Sequence, residues 1–103
     1  MTGKLRVEFH AEAVREAGEA RSWYADRSQS VAAAFLDELD HAVERLSSNP
    51  EAWPGYVSGT RRYVLRRFPF YVVYRVTASA IQVLAVAHGL RRPGYWRDRS
   101  RAE

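Results

Sequence analysis

The sequence predicts an α+β fold: an N-terminal strand, then an antiparallel two-helix hairpin packed on one face of a small, mainly antiparallel sheet, in the order β-α-α-β-β-β. Three observations predict it. Phe70–Val76 is an apolar, aromatic and β-branched run, opened by Arg66-Arg67-Phe68-Pro69, and such composition suits a strand buried on at least one face. Strand-like runs at 61–65 and 80–87 flank it at separations of about four residues, too short for the crossover a parallel return needs. Ahead of them, residues 11–46 carry apolar side chains at helical rather than strand spacing.

In chain order, residues 5–9 alternate Leu5, Val7 and Phe9 against Arg6, Glu8 and His10, the period of two of a short strand. From Ala11 the pattern becomes helical, with Val14, Ala17, Arg21 and Tyr24 on one stripe and Trp23 and Tyr24 as the largest anchors. Residues 26–30 are polar and break that pattern, with Ser28 or Ser30 placed to cap the next helix. From Val31 the apolar face is Phe35, Leu39, Ala42, Val43 and Leu46, while Asp37, Asp40, Glu44 and Arg45 form a solvated side. Ser47-Ser48-Asn49-Pro50 ends it, because the residue before a proline avoids αR geometry.

The loop at 51–60 holds Trp53 and Tyr56, whose rings are expected to dock on the core. In the strands, Tyr63, Leu65, Phe70, Val72, Tyr74, Val76, Ile81, Val83, Ala85 and Ala87 fall on the face expected to receive the helices. The opposite phase carries Arg62, Arg66, Arg75, Gln82 and His88, so an arginine-rich face is expected toward solvent or a partner. Pro93-Gly94 argues for a turn in the basic stretch that follows Gly89.

The 103 residues suit a single domain, with a folded core at about 5–96 and a basic tail at 97–103. Hydrophobic content of 47% and charged content of 27% exclude global disorder. Cysteine is absent, which excludes disulfides and thiolate metal sites. No signal peptide or membrane span is recognisable, so a cytoplasmic protein is expected. The net charge of +4 is carried almost wholly by arginine, whose guanidinium suits phosphate or carboxylate, so an acidic partner is expected: nucleic acid or an acidic protein segment.

The order of elements and the close His88-Gly89-Leu90-Arg91-Arg92-Pro93-Gly94-Tyr95-Trp96 resemble the RelE/ParE superfamily of toxins from type II toxin–antitoxin pairs, over residues 7–96. The resemblance implies growth inhibition, a cognate antitoxin with an acidic or amphipathic segment that shields the basic surface, operator DNA bound only through that antitoxin, and no cofactor or metal. RelE-like members cut messenger RNA on the ribosome through the ribose 2′-hydroxyl, which needs a base, an acid and cations for the developing charge. ParE-like members bind and inhibit DNA gyrase.

For the nuclease, the resemblance points to His88 as base or acid, Arg67 and Arg91 as charge stabilisers, and Tyr95 as a stacking or acid group. Arg62, Arg66, Arg75, Arg92 and Trp96 are the candidates for target or antitoxin contact. Against the nuclease, Tyr71 stands where RNA-cleaving relatives carry an arginine, and their lysine pair falls near Arg62 and Val64, so one cation is replaced by an apolar group. This departure favours gyrase binding over RNA cleavage. A plain nucleic-acid-binding domain is the third reading, and no base-reading motif supports it.

Overall fold

The computed structural model describes residues 5–100. A four-residue strand β1 (Arg6–Phe9) is followed by helices α1 (Ala11–Ala25) and α2 (Gln29–Ser48), a 3-10 turn at Val57–Gly59, strands β2 (Arg61–Val64), β3 (Phe70–Val76) and β4 (Ala80–His88), and a short helix α3 (Arg97–Ser100). The sheet order is β1-β4-β3-β2. β2, β3 and β4 form an antiparallel meander, whereas β1 lies parallel to β4 in the register Arg6↔Ala80 to Phe9↔Val83. This is the α+β architecture expected, with the parallel pair made possible by the long helical crossover between β1 and β4.

Both helices start at side-chain caps. His10 Nδ1 accepts the Glu12 N–H at 3.0 Å, and Ser28 Oγ accepts the Val31 N–H at 3.3 Å, so each relieves one amide that the first turn cannot bond. The face of α2 is the expected one, with Phe35, Leu39, Ala42 and Leu46 buried and Asp37, Asp40, Glu44 and Arg45 exposed. The face of α1 is not. Its buried residues are Ala13, Glu16 and Ala20, Arg21 is exposed, and Val14 and Trp23 are more than half exposed. Small alanines let α1 lie close over β4, and Tyr24 is the large side chain it contributes to the core.

The core between helices and sheet is aromatic at one end. Phe35 stacks edge-on with Phe68 and Phe70 at 5.4 Å, and Tyr24 meets Phe68 at 5.1 Å. Trp53 and Tyr63 close the other end at 5.0 Å. Such edge-to-face contacts each add about 0.5–1.5 kcal/mol beyond the apolar area they remove from water.

The far side of the sheet is also apolar. Tyr71, Val73, Leu84, Ala85, Ala87 and Trp96 form a second buried cluster, with Tyr56 and Tyr95 packed against it. Two expectations are corrected here. The face opposite the helices is not an open arginine surface, because Tyr56 and the Tyr95-Trp96 pair fold over much of it. The phase of β4 also changes midway. Val73 pairs with Ala85 and Tyr74 with Val83, so Leu84 is an extra residue in the ladder. Beyond that bulge Ala85 and Ala87 turn to the far face, while Val86 joins the helix-side core and His88 meets Phe70 from the same side.

The stretch expected as a basic tail also folds back in part. Arg99 is mostly buried, and its guanidinium reaches Glu16 of α1 and the Leu84 carbonyl, so the folded part extends to at least that residue. The remainder, 101–103, lies outside the described residues.

Candidate functional site

The end of β4 organises the polar side chains. The chain leaves His88 through a turn held at three points: Gly89 N–H donates to the Pro69 carbonyl at 2.7 Å, Leu90 N–H to His88 Nδ1 at 3.0 Å, and Arg91 N–H to the His88 carbonyl at 3.0 Å. Gly94, at φ +87, makes the reverse turn that brings Tyr95 and Trp96 back under the sheet.

Between this turn and α1 runs a groove of about 400 Å³, whose lining includes Glu16, Trp23, Tyr24, Phe70, Val86, His88, Arg91 and Tyr95. The structure thus brings His88, Arg91 and Tyr95 to one groove. It leaves Arg67 elsewhere, in a separate hollow with Asp37, Glu38, His41, Arg45, Tyr63 and Arg66.

None of the groove's polar groups is idle. His88 uses Nδ1 as an acceptor inside its own turn, which places any N–H of the neutral ring on Nε2. Arg91 lies 3.8 Å above the Tyr95 ring. The Tyr95 hydroxyl donates to Glu16 Oε2 at 2.8 Å, and burial, the Glu16 bond and its negative charge push the phenol far above its ordinary value. A phenol so held is a poor proton donor near neutral pH.

Glu16 binds more than Tyr95. Its Oε1 accepts the Val86 N–H at 3.0 Å, and Arg99 grips both carboxylate oxygens at 2.9 and 3.0 Å. Arg99 also donates to the Leu84 carbonyl at 2.9 Å. Burial works against the Arg99 charge, but Glu16 outweighs it and holds the guanidinium above its ordinary value. The sequence reading singled out neither residue. The available signal was a carboxylate between Ala13 and Ala20 on an otherwise small-residue stripe.

The remaining cations fall at different places. Arg62 stands over the Tyr56 and Tyr71 rings at 4.4 and 5.3 Å, on the far face. Burial and a hydroxyl bond from Tyr56 push Tyr71 up to about 12. Arg75 is tied to Gln82 by a 2.7 Å bond at the opposite end of that face. Arg66, Arg67 and Arg92 are exposed.

Arg66 is held through its backbone N–H, and Arg67 through both its N–H and its side chain. Glu38 of α2 accepts both N–H groups, and its Oε1 takes Arg67 Nε at 3.2 Å. Burial raises the Glu38 carboxyl, yet these bonds and the Arg67 charge outweigh it and leave it below the usual carboxylate range. Trp96 is wholly buried and stacks on Tyr56 at 5.4 Å, which corrects its candidacy as a surface contact. The packing of a wide apolar ring against Tyr56, Tyr71 and Tyr95 is what draws it in.

The profile of the family described as ParE toxin of type II toxin–antitoxin system, parDE, matches residues 7–93. Toxin ParE2 of Mycobacterium tuberculosis, in two strains, is 35% identical over 94 residues, covering 90% of this chain and 88% of the relative. Among solved structures, one described as the chromosomal ParDE TA system from P. aeruginosa superposes with a TM-score of 0.73 at 20% identity, over 82% of this chain and 96% of that one. The structural likeness concerns the fold, and the sequence matches carry the kinship.

Proposed function

This chain belongs to the ParE toxin family of type II toxin–antitoxin systems, and from that premise we propose that it arrests growth by binding DNA gyrase rather than by cutting RNA. It is the toxin of such a pair, and its partner is an antitoxin. The observation that carries the target reading is the state of the groups a nuclease would need. Tyr95 is bonded to Glu16, His88 Nδ1 is spent in its turn, and Arg67 is in another hollow. A ribose 2′-hydroxyl in the groove would find His88 and Arg91 but neither Arg67 nor an unengaged Tyr95 hydroxyl, whereas a binding toxin needs only a shaped, basic surface. The work site under this reading is the cytoplasm, and operator DNA is reached through the antitoxin.

The test is inducible expression followed within minutes by separate labelling of DNA and protein synthesis, with purified protein added to a gyrase supercoiling assay. An early fall in DNA synthesis together with inhibited supercoiling is the expected result. An immediate fall in protein synthesis with cleaved messages would sink the gyrase reading and restore the ribosome as target.

A further inference from the structure

The hollow that holds Arg67 shares no lining residue with the groove at the end of β4. It encloses about 430 Å³ between the exposed side of α2 and the turn that joins β2 to β3. Asp37, His41 and Arg45 stand four residues apart, so they form one row along α2. Arg66 and Arg67 line the same hollow from the turn, and Tyr63 lines it from β2. The turn is fixed. Leu65 and Phe68, on either side of the two arginines, are buried in the core, and Glu38 fastens the tip by accepting the Arg66 and Arg67 N–H groups. Both arginine side chains nevertheless remain exposed, so their positions are set without the ordering cost that a mobile basic loop would meet on binding.

The cations of the hollow keep spare donors. Arg45 has the Tyr63 hydroxyl at 3.5 Å, the limit of a hydrogen bond, and among the described residues no carboxylate pairs with Arg45 or Arg66. The bond from Arg67 to Glu38 uses Nε and leaves the two terminal nitrogens of that guanidinium unbonded among the described residues. His41 donates Nδ1–H to the Asp37 carbonyl at 3.0 Å, because a carbonyl can only accept. Its Nε2 therefore carries a lone pair when the ring is neutral and a further N–H when the ring is protonated. Three guanidinium groups meet two carboxylates here, an excess of one positive charge that becomes two with His41 protonated. Glu38 is offset by Arg67 and its side chain is only 13% exposed, so Asp37 is the carboxylate that opposes an incoming anion.

We infer that this hollow is a phosphate seat for the backbone of duplex DNA, with Arg45, Arg66 and Arg67 as donors, used when the toxin meets gyrase on its DNA substrate. Guanidinium groups match phosphate oxygens, and several of them can share one phosphodiester. The lining also selects against an acidic protein segment. Apart from the Tyr63 ring it is wholly polar or charged, so such a segment would find charge there but no pocket for an apolar anchor. A phosphodiester needs only the donors, and its contacts position a protein on DNA without reading sequence. The inference rests on the gyrase reading and adds a second component, the DNA itself, to the target.

The test measures binding of a labelled short DNA duplex, in two unrelated sequences, to the purified full chain at several salt concentrations. Wild type is compared with the Arg45→Gln/Arg66→Gln pair, Asp37→Asn and His41→Ala, with circular dichroism as the fold control. The arginine pair is expected to bind roughly tenfold more weakly whichever sequence is used, and to lose about two units of slope in log affinity against log salt. Asp37→Asn, which keeps the carbonyl that holds His41, binds more tightly than wild type. Acidification from about pH 8 to about pH 5.5 strengthens binding by wild type and does less for His41→Ala. In the supercoiling assay the arginine pair is the weaker inhibitor. No duplex binding by the wild type, or equal affinity and slope in the arginine pair, would overturn the inference, as would weaker binding by Asp37→Asn. Capture of a polyglutamate peptide in preference to the duplex would assign the hollow to a protein segment and overturn it as well. A wild type that leaves supercoiling untouched removes the gyrase reading, whereas equal inhibition by wild type and arginine pair keeps that reading and overturns the inference alone.

Discussion

The Tyr74 hydroxyl donates to the carbonyl of Pro50 at 2.6 Å, so the middle of the sheet is bolted to the loop that leaves α2. Tyr74 is wholly buried among core residues, and Pro50 cannot continue the helix. Replacing Tyr74 with Phe keeps the ring and leaves the carbonyl without this donor. The expected loss is about 1 kcal/mol, or a fall of about 4–8 °C in the thermal midpoint, read by circular dichroism.

Phe35 touches Tyr24, Phe68 and Phe70, which come from α1, the β2–β3 loop and β3. Its truncation to Ala is expected to cost about 3–5 kcal/mol, enough to unfold a domain of ordinary stability. Denaturant titration checks this, and Phe35→Leu should recover most of the loss.

Glu38 gives the protein an acid-sensitive clamp. Its folded pKa is below the unfolded one, so its contribution is present above the ordinary carboxylate value of about 4.3 and is lost as pH falls through the folded value. The stability gap between wild type and Glu38→Gln is therefore expected to be widest near neutral pH, on the order of 1 kcal/mol, and to close under acid. Urea midpoints measured across pH test the sign. A gap that widened on acidification would contradict it.

At the alkaline end the sign reverses. Burial pushes Tyr71 and Tyr74 up to about 12, and a group whose folded pKa is raised stabilises fully below the unfolded value of about 10 and less as pH climbs through the folded one. Tyr24 and Tyr95 are shifted the same way, the first by burial and the second by burial and Glu16. Spectrophotometric titration should show these phenols ionising late, with loss of structure between about pH 10 and 12.

His88→Ala separates binding from catalysis. Under the gyrase reading the variant loses the Leu90 bond in its turn and remains toxic on induction. Complete loss of toxicity with the fold intact would give His88 a chemical role.

Much of this fold was legible in the sequence because its signals are local. The bounds of β3 follow from one uninterrupted β-branched and aromatic run, and the cap at Ser28 and the end before Pro50 follow from backbone sterics. The phase of β4 was not legible. That strand is buried on both faces, so apolar residues occupy every phase and nothing marks Leu84 as the extra one. Nor was the Glu16–Arg99 contact, since the partners lie 83 positions apart and neither belongs to a motif. The grouping of His88, Arg91 and Tyr95 was visible because one turn makes it, and the separation of Arg67 from them depends on Glu38, a partner on another element.

The place of β4 in the sheet has a consequence for synthesis. This strand lies between β1 and β3, yet it is translated after the other three described strands. Until residues 80–88 emerge from the ribosome, β1 has no neighbour to pair with and α1 has no sheet to cover. The helices and the β2–β3 hairpin exist earlier as fragments without a shared core. A nascent toxin therefore has no complete sheet until β4 is made, and it acquires its surface in one step that joins all the earlier fragments.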